Sequence, residues 1–581
     1  MLKKLAASVR EYKKASLLAP LYVSLEVVIE CIIPLLTAKL INEIEDGCGL
    51  DVITKYGLLL IVMAGLSLTM GVLSGHYCAI ASSGFAKNLR HDLFYRVQSF
   101  SFTNIDKFST ASLVTRLTTD VSNVQMAFMM IIRTAVRCPF MLIFAFVMST
   151  QLGGQLSWVF AVIIPILAAG LFGIIFKVMP LFRRVFRKYD RLNESVQENI
   201  KGMRVVKSFV REKHEQDKFA VASGDVRNDF TRAEKILALN TPVMQFCIYA
   251  CMILISFFCA KIVISTGGTE MELGTLSGMT TYSMQILMSM MMVSVIFVMV
   301  TMSGESARRI VEVLDELPTL HNCEQPVMQV PDGSIDFEDV SFRYSAEADK
   351  MALANINLRI ASGQTVGIIG GTGSSKTTMV NLISRLYDVT EGSLRVGGID
   401  VRDYDIETLR NSVAVVLQKN VLFSGTIKEN LRWGDPNASD EEMQRICRLA
   451  MADEFIQGFP DGYDTHIEQG GSNVSGGQKQ RLCIARALLK KPKILILDDS
   501  TSAVDTHTDA MIRKAFREEI PGTTKIIIAQ RISSVQDADL IVVMEGGSIN
   551  GAGTHDELLR TNAIYKEVFE SQTKGGGEDN G

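Results

Sequence analysis

The sequence predicts a multidomain membrane protein, with an all-α transmembrane domain of six helices and long cytoplasmic helix extensions, followed by a soluble α/β domain. Hydrophobic residues make up 48% of the 581 residues and charged residues 21%, but the long apolar stretches fall almost entirely in the first half. The second half carries a glycine-rich loop between a strand pattern and a helix pattern. The net charge of -4 gives no reason to expect a nucleic-acid partner.

Six segments are long and apolar enough to span a lipid bilayer, which takes about 20 residues per helix. They lie at about 16–41, 56–82, 125–150, 157–180, 236–266 and 273–302. The loops after the first, third and fifth segments are acidic or uncharged, whereas the opposite side carries LKKLAASVREYKK, KNLRHDLFYR and LFRRVFRKYDR. By the positive-inside rule, the N-terminus and the whole second half face the cytoplasm.

The segments between and beside the spans also have patterns. Residues 1–15 are basic, lack a small-residue cleavage site, and predict an amphipathic interfacial helix before a transmembrane domain at 16–316. Two polar inserts, 83–124 and 181–235, have helical periodicity, so the spans are expected to continue into the cytoplasm and return. The polar, Gly-rich tail at 571–581 is predicted to be disordered.

Charged residues inside the predicted spans are expected to have partners. Glu26 and Glu30 are four residues apart on one face of the first span, and Arg133 and Arg137 are spaced in the same way in the third. This spacing predicts a carboxylate–guanidinium ladder between the two helices. The alternative is that an acid lines a cavity and selects cationic substrates.

Methionine and cysteine are both abundant in apolar segments. The sixth span has eight methionines between residues 279 and 302, and adaptable Met side chains suit promiscuous binding of apolar molecules. If Met284, Met288, Met291 and Met292 face a cavity, then hydrophobic drugs, lipids or lipopeptides fit it better than sugars or ions. The ten cysteines lack metal-ligand spacing and are interpreted as packing residues.

The second half begins with a linker at 317–333 and a domain at 334–570. In QTVGIIGGTGSSKTTMVNLI, a strand ends at Gly370 and a helix opens at Lys376, which matches the G-x-x-x-x-G-K-[ST] phosphate loop with Ser375 in place of its second glycine. A serine there weakens binding, or is tolerated if its dihedrals are ordinary. The loop candidates are Gly370, Gly371, Thr372, Gly373, Ser374, Ser375, Lys376, Thr377 and Thr378.

The order of the motifs that follow is specific. Gln418 lies in VAVVLQKNVLFSGTIKENL, NVSGGQKQR spans 473–481, ILIL delivers Asp498, and Asp505 lies in SAVD. With these motifs the sequence resembles the ATP-binding cassette (ABC) family, and the chain from residue 1 to about 570 is similar to one half of an ABC exporter, a transmembrane domain followed by an α/β P-loop ABC nucleotide-binding domain.

The resemblance implies ATP and Mg²⁺ as cofactors. Tyr344 matches the aromatic residue that stacks on adenine, and Lys376 the lysine that contacts phosphate. Thr377, Gln418 and Asp498 match the residues at the metal ion. Ser475, Gly476, Gly477 and Gln478 match the signature that closes over ATP bound on the opposite subunit, and Asp505 belongs to the same nucleotide site.

Two further positions depart from the family pattern. Asp499 stands where the family has its catalytic glutamate, and Gln530 stands where it has a histidine that contacts the γ-phosphate. Both departures affect the ATP held by this chain's own loop, whereas the VSGGQ signature is intact. The resemblance therefore implies a heterodimer in which a paralogous half-transporter supplies an intact glutamate and histidine. The alternative is a homodimer in which Asp499 still positions water.

The implied function is ATP-driven export or flipping of hydrophobic or amphipathic substrates across a bacterial plasma (inner) membrane. Residues 102–109 and 210–222 would be the helices that contact the nucleotide-binding domains. An ATP-gated channel or regulator, and an importer with an exporter fold, share the same architecture and stay open as alternatives. A soluble DNA-repair ATPase is excluded by the six spans.

Overall fold

The computed structural model describes residues 1–266, 272–345, 350–500 and 504–575. The chain divides into two compact units, each with its own core. The helical unit comprises Met1–Ser99 and Phe108–Glu316. The α/β unit comprises Phe100–Lys107 and the chain from Leu317 onward. The short segment Phe100–Lys107, which lies within the first polar insert of the sequence, thus belongs to the α/β unit.

The helices described before residue 316 include seven that are twenty residues or longer. They are α1 (Leu2–Ala7), α2 (Lys13–Glu45), α3 (Leu50–Gln98), α4 (Phe102–Lys107), α5 (Thr110–Thr115), α6 (Val121–Ile132), α7 (Thr134–Gly153), α8 (Trp158–Lys201), α9 (Met203–Ser208), α10 (Glu212–Leu237), α11 (Asn240–Thr266) and α12 (Leu273–Asp315). A π-helical turn at Arg116–Asp120 joins α5 to α6.

Within the described ranges, five continuous helical stretches are long and apolar enough to cross a membrane. One of them, Thr110–Lys201, is 92 residues long and contains both α7 and α8. These two helices are separated at Gly154, whose φ of +49° favours glycine. The six predicted spans therefore lie in α2, α3, the α6–α7 segment, α8, α11 and α12, and the predicted fold class is confirmed.

The polar inserts are helical, as their periodicity predicts. α3 continues to Gln98 and α8 to Lys201, and α10 returns along α8. The turn between α8 and α10 holds the short helix α9 at Met203–Ser208, whereas most of 210–222, where a contact helix is expected, is the start of α10. Residues from Glu212 onward already belong to the returning helix, because the chain breaks at Val210, where φ is +52°.

Both ends of the chain differ from their predictions. Residues 1–15 do not form one interfacial helix, because the chain breaks after α1 at Arg10, where φ is +41°. Ser8 and Arg10 instead donate hydrogen bonds to Asp92 on α3, at 2.8 and 2.5 Å. At the other end the last helix continues to Gly575, so the predicted disorder is wrong for 571–575, and 576–581 lie outside the described residues.

The core of the helical unit is formed by side chains of α2, α7, α8, α11 and α12. Its most deeply buried aromatic residue is Tyr282, whose hydroxyl donates to the carbonyl oxygen of Cys31 at 2.7 Å. Eight of the ten cysteines are buried in one of the two units, which confirms their packing role. Cys48 and Cys323 are the exceptions, and both lie outside the cores.

The α/β unit contains twelve strands and nine further helices in the described residues. The strands are β1 (Ile335–Phe342), β2 (Leu353–Ile360), β3 (Thr365–Gly370), β4 (Glu391–Val396), β5 (Ile399–Asp400), β6 (Val413–Val416), β7 (Gly425–Thr426), β8 (His466–Ile467), β9 (Ile494–Asp498), β10 (Thr524–Ile528), β11 (Leu540–Glu545) and β12 (Ser548–Gly553). The helices are α13 (Lys376–Ile383), α14 (Ile406–Ser412), α15 (Ile427–Leu431), α16 (Asp440–Leu449), α17 (Asp453–Gln457), α18 (Gly476–Leu489), α19 (Thr506–Glu519), α20 (His555–Thr561) and α21 (Ala563–Gly575).

The central sheet has the strand order β12-β11-β3-β10-β9-β6, and all of its pairs are parallel except β11 with β12. β9 is buried along its whole length, as its run of aliphatic residues predicts. In such a sheet, ligands bind beyond the carboxyl ends of the strands. β3 and β9 end there at Gly370 and Asp498, which brings the phosphate loop and the acidic pair to one edge.

Candidate nucleotide site and membrane cavity

The phosphate loop connects β3 to α13. The Nζ atom of Lys376 donates to the carbonyl oxygens of Gly370 and Gly371, at 2.8 and 2.9 Å, and to Oγ of the buried Ser374 at 3.2 Å. Burial lowers the pKa of Lys376, and the nearby carboxylates of Asp498 and Asp499 oppose that shift. The lysine is thus folded over its own loop, with its charge at the carboxyl edge of the sheet.

Ser375 adopts a backbone conformation that favours glycine. Its φ is +68° and its ψ is +26°, and its side chain makes no capping hydrogen bond with α13. A left-handed conformation costs a non-glycine residue about 1–2 kcal/mol. Gly371, Thr372 and Gly373 form the exposed tip of the loop, where Gly373 has a φ of +81°. The dihedrals of Ser375 are therefore not ordinary, and the loop carries local strain.

Two oxygen-bearing side chains meet beside the loop. The hydroxyl of Thr377, at the start of α13, donates to Oδ2 of Asp498 at 2.8 Å. Asp498 is 3% exposed, and burial raises the pKa of its carboxyl group, although Thr377 and Lys376 pull it down. Hydroxyl and carboxylate oxygens are the ligands that Mg²⁺ prefers, so the two residues fit that ion.

Asp499 and Gln530, the two catalytic positions that depart from the family pattern, are in contact. Oδ2 of Asp499 accepts a hydrogen bond from Nε2 of Gln530 at 2.8 Å and another from Nε2 of Gln418 at 3.3 Å. Asp499 has a φ of +49°, a region where Asp is more frequent than most side chains. It is 9% exposed, and its backbone N–H donates to the carbonyl oxygen of Ile528 on β10. The carboxylate at the base position thus lies among amide donors.

The signature residues begin α18 and are ordered by a capping box. Oγ of Ser475 accepts from the backbone N–H of Gln478 at 3.3 Å, and Oε1 of Gln478 accepts from the backbone N–H of Ser475 at 2.9 Å. Ser475 and Gly476 are exposed, and Gly477 is half-buried. The amide end of a 14-residue helix therefore points away from the core of this unit, and helix amino termini favour anions.

The described residues show no hydrogen bond between the signature and this chain's own phosphate loop. The carboxylate of Asp505 does not bond to the loop either. It caps α19 instead, by accepting from the backbone N–H of Thr508 at 2.9 Å. The single chain thus brings together one part of the predicted site, around Lys376 and Asp498, and leaves the signature open to solvent.

Tyr344, the aromatic residue expected to stack on adenine, is held by contacts that the sequence did not predict. Tyr344 is 47% exposed, its hydroxyl lies 2.8 Å from Oγ1 of Thr378, and its ring meets that of Tyr387 edge-on at 5.3 Å. The Tyr387 hydroxyl donates to Oδ2 of Asp106, on α4, at 2.7 Å. Burial and this carboxylate raise the pKa of Tyr387. The sequence hinted at this contact only through FTNIDKFS, the segment at 102–109 that was expected to contact a nucleotide-binding domain.

The charge ladder of the helical unit is confirmed for one arginine and wrong for the other. Nη1 of Arg137 donates to Oε1 of Glu26 at 2.6 Å, and its Nη2 donates to both oxygens of Glu30, at 2.9 and 2.7 Å. Arg133 interrupts the helix between α6 and α7, and its guanidinium lies near Gly75 on α3. No carboxylate partner of Arg133 is found in the described part of the chain.

A cavity of about 580 Å³ lies between α2, α7 and α12. Met284, Met288 and Met292 line it, as the sequence predicts for a methionine face. Met291 instead packs against the core of the helical unit, so that part of the prediction is wrong. Helical spacing does not separate Met291 from the others, because it follows Met284 by seven residues and Met288 by three, and both spacings share a face. The rotation of α12 against its neighbours therefore decides which of the four methionines face the cavity.

A strand–loop–helix phosphate site, in a chain that also carries membrane-length helices, defines the class of membrane-bound P-loop nucleotidases. Residues 17–290 match the family described as the ABC transporter transmembrane region, and residues 353–502 match the family described as ABC transporter. The chain belongs to the ABC transporter family, and it is an ATP-hydrolysing transporter with an exporter fold.

Relatives and solved structures agree with this assignment. The uncharacterized ABC transporter ATP-binding protein YfiB of Bacillus subtilis is 36% identical over 547 residues, which cover 94% of each chain. An ATP-dependent lipid A-core flippase of Desulfotalea psychrophila is 31% identical over 548 residues, covering 92% of this chain and 93% of the flippase. A bacterial Atm1-family ABC exporter with ATP bound shares the fold, with a TM-score of 0.81 at 23% identity over 97% of this chain and 99% of that chain.

Proposed function

We propose that this chain is one half of a heterodimeric exporter that moves hydrophobic or amphipathic substrates across a membrane, and that its own nucleotide site binds ATP but hydrolyses it slowly. The observation that carries the proposal is the contact between Asp499 and Gln530, at 2.8 Å. The two catalytic positions that depart from the family pattern are neighbours in space. They form one altered catalytic corner beside an otherwise ordered phosphate loop.

The chain's own site has the groups needed to hold nucleotide. Tyr344 offers an aromatic face to adenine, and the exposed loop tip with Lys376 offers amides and a positive charge to the phosphates. Thr377, Gln418 and Asp498 would hold Mg²⁺, which when bound neutralises developing charge on the phosphates. Burial already raises the pKa of the Asp498 carboxyl group, so a nearby cation would favour its charged form.

The same site lacks a well-placed base. Aspartate is one methylene shorter than glutamate, a loss of roughly 1.5 Å of reach. The Oδ2 atom of Asp499 already accepts from two side-chain amides, and Gln530 has no titrating proton and no positive charge. Loss of a positioned base costs about 10²- to 10⁴-fold in rate. Slow turnover at this site follows.

The signature end supports a role in a partner's site. Ser475 and Gly476 are exposed at the amino terminus of an ordered helix, and no hydrogen bond joins them to this chain's own phosphate loop in the described residues. A partner that supplies its own phosphate loop, glutamate and histidine would complete a competent site there. Hydrolysis in that site would then drive the alternation between inward-open and outward-open cavities.

The membrane half supports an apolar or amphipathic substrate. The wall of the cavity between α2, α7 and α12 includes four methionines, one acid and one arginine. The relative from Desulfotalea psychrophila is a lipid A-core flippase, which is consistent with an amphipathic cargo. We assign the N-terminus and the α/β unit to the cytoplasmic side of a bacterial inner membrane, on the basis of the basic loops.

The test is ATPase activity of the full chain in lipid, alone and co-purified with each candidate partner half. We expect the lone chain to be nearly inactive and one partner to restore turnover. That turnover should disappear when the partner's catalytic glutamate is changed to glutamine. Brisk hydrolysis by the lone chain would instead show that Asp499 is competent in a homodimer.

Two other classes use the same architecture. A site that holds ATP without rapid hydrolysis suits an ATP-gated channel or regulator, and ATP-dependent current in planar bilayers would identify it. An importer with an exporter fold would accumulate substrate in right-side-out vesicles. Neither assay should respond if the chain exports.

A further inference from the structure

We propose that the cavity between α2, α7 and α12 is a binding site for organic cations, with the positive group at Glu30 and the apolar body against the methionines. This inference deepens the proposed export function and rests on it. It names the chemical class of the substrate and the residues that recognise it.

The charges at the cavity wall do not balance. Glu26 and Glu30 share the single guanidinium of Arg137, so this triad has one surplus negative charge. The next arginine, Arg133, lies beside Gly75 on α3 and does not line the cavity. A surplus charge in a low-dielectric wall attracts a cation far more strongly than it would in water.

The two acids have different surroundings. Glu26 is 8% exposed, packs beside Gly71 on α3, and its Oε2 has no hydrogen-bond partner in the described part of the chain. A Cβ at Gly71 would lie 3.1 Å from Glu26 Oε1, so the glycine lets α3 pack closely against this carboxylate. Both acids accept from Arg137, but Glu26 is packed away from the cavity. Glu30, with 26% of its side chain exposed, presents its carboxylate to the cavity.

The remaining wall suits a bulky apolar body. Met284, Met288 and Met292 are 42%, 55% and 42% exposed and form one side, and Met141 contributes from α7. Thioether side chains adapt to irregular shapes. Gln285 also lines the wall, although its Oε1 is buried and has no hydrogen-bond partner in the described residues. The volume of about 580 Å³ matches that of sites for drug-sized ligands.

An anion of the same shape would be rejected. The donors of Arg137 that face the acids are already used in three hydrogen bonds, so an anion would have to displace Glu30 or lie against it. A cation breaks none of these bonds. The sign of the ligand's charge is therefore the property that this wall selects.

The experiment compares tetraphenylphosphonium with tetraphenylborate, two ions of nearly equal size and opposite charge. Binding is measured by equilibrium dialysis on the full chain in nanodiscs, with its partner where one co-purifies, without nucleotide and after subtraction of empty nanodiscs. Saturable binding of tetraphenylphosphonium is expected. Glu30→Gln should weaken it about tenfold, whereas Glu43→Gln, an exposed acid of α2 outside the cavity, should not change it.

Met288→Lys provides a second test that leaves the ion triad intact. This change should weaken binding of tetraphenylphosphonium and create binding of tetraphenylborate. Equal binding of the two ions, or an unchanged affinity in Glu30→Gln, would overturn the proposal. If neither ion binds and Met288→Lys abolishes co-purification, then a partner half covers this wall and the proposal is also wrong.

Binding without nucleotide separates this inference from the proposed heterodimer. A lone chain that hydrolyses ATP rapidly, yet binds tetraphenylphosphonium through Glu30, would refute the slow-site proposal and leave the cation site standing. If ATPase activity depends on a partner but the chain does not prefer the cation, then the slow-site proposal stands and the cation site is refuted.

Discussion

The phosphate-loop corner and the signature helix are parts of the same α/β unit, but they differ in what chemistry each can perform. The signature has a complete capping box, and it needs only backbone amides at a helix end. The loop corner depends on the reach of one carboxylate, and Asp499 is short, bonded to two amides and next to a strained loop. A function that depends on one side chain is lost when that residue is replaced, whereas a function of backbone amides survives many substitutions. If our proposal is right, this difference explains how the loop corner can lose activity while the signature keeps its function.

The largest expected effect comes from disrupting the signature helix. Ser475→Arg removes the cap and places a bulky side chain where a partner's ATP would approach, so turnover of the complex should fall at least about 100-fold. Lys376→Ala affects only the site that we propose to be slow, and should reduce turnover by less than about tenfold. Steady-state ATPase assays of the two variants test the order.

Thr573→Arg on the exposed face of α21 is the matched control for charge and bulk. If Lys376→Ala proves as damaging as Ser475→Arg, then both sites hydrolyse ATP and the contrast between the two ends disappears.

Restoring the altered corner should give the second largest effect. Asp499→Glu with Gln530→His should raise hydrolysis at this chain's own site about 10- to 100-fold. The two side chains are in contact, so the double variant should exceed the product of the single variants. Turnover is measured with the partner's glutamate replaced by glutamine, so that only this site contributes. No gain under these conditions would mean that another feature, such as the loop, limits the site.

Relief of the loop strain should have a smaller effect, on stability. Ser375→Gly removes a left-handed serine, a gain of about 1 kcal/mol after the added flexibility of the unfolded chain is subtracted. The Tm of the α/β unit should rise by about 2–4 °C, measured by differential scanning fluorimetry of the purified chain. Ser374→Gly is the control: it removes the hydroxyl that accepts from Lys376, and it should lower Tm. A lower Tm in Ser375→Gly would show that the serine is not strained.

The smallest effect concerns the adenine platform. Asp106→Ala removes the acceptor of the Tyr387 hydroxyl, and Tyr387→Phe removes the donor. Each should raise the Kd for ATP about two- to fivefold, and the double variant should be no worse than either single one because both remove the same hydrogen bond. Asp106→Asn, which can still accept, should restore near-normal affinity. Additive losses would mean that the two residues act independently.

Much of the nucleotide site could be predicted from the sequence, because its parts are contiguous. The loop from Gly370 to Thr377 and the helix cap at Ser475 are local patterns that a few residues encode. Asp498 could be placed at a strand end because aliphatic runs in parallel sheets are buried. The contact between Asp499 and Gln530 could only be suspected, since the two residues are 31 positions apart and their distance depends on neighbouring strands.

Other features required the tertiary structure for different reasons. Tyr387 was not identified from the sequence, because its partner Asp106 lies 281 residues away. The spacing of Glu26, Glu30 and Arg137 predicted an ion pair, but not that one guanidinium would serve both acids while Arg133 lies near α3. Periodicity fixes which residues share a helix face, and it leaves the rotation of that face toward a neighbouring helix undetermined.

The sequence by itself determined the two-part architecture, the six predicted spans, the phosphate loop, the signature and the positions that depart from the family pattern. Local hydrophobicity and contiguous motifs encode all of these. Only the tertiary structure decided that Ser375 is left-handed, that Asp499 is bonded to Gln418 and Gln530, and that Glu30 faces a methionine-lined cavity. These properties depend on backbone angles and on distances between remote segments, which are set by packing rather than by any short stretch of sequence.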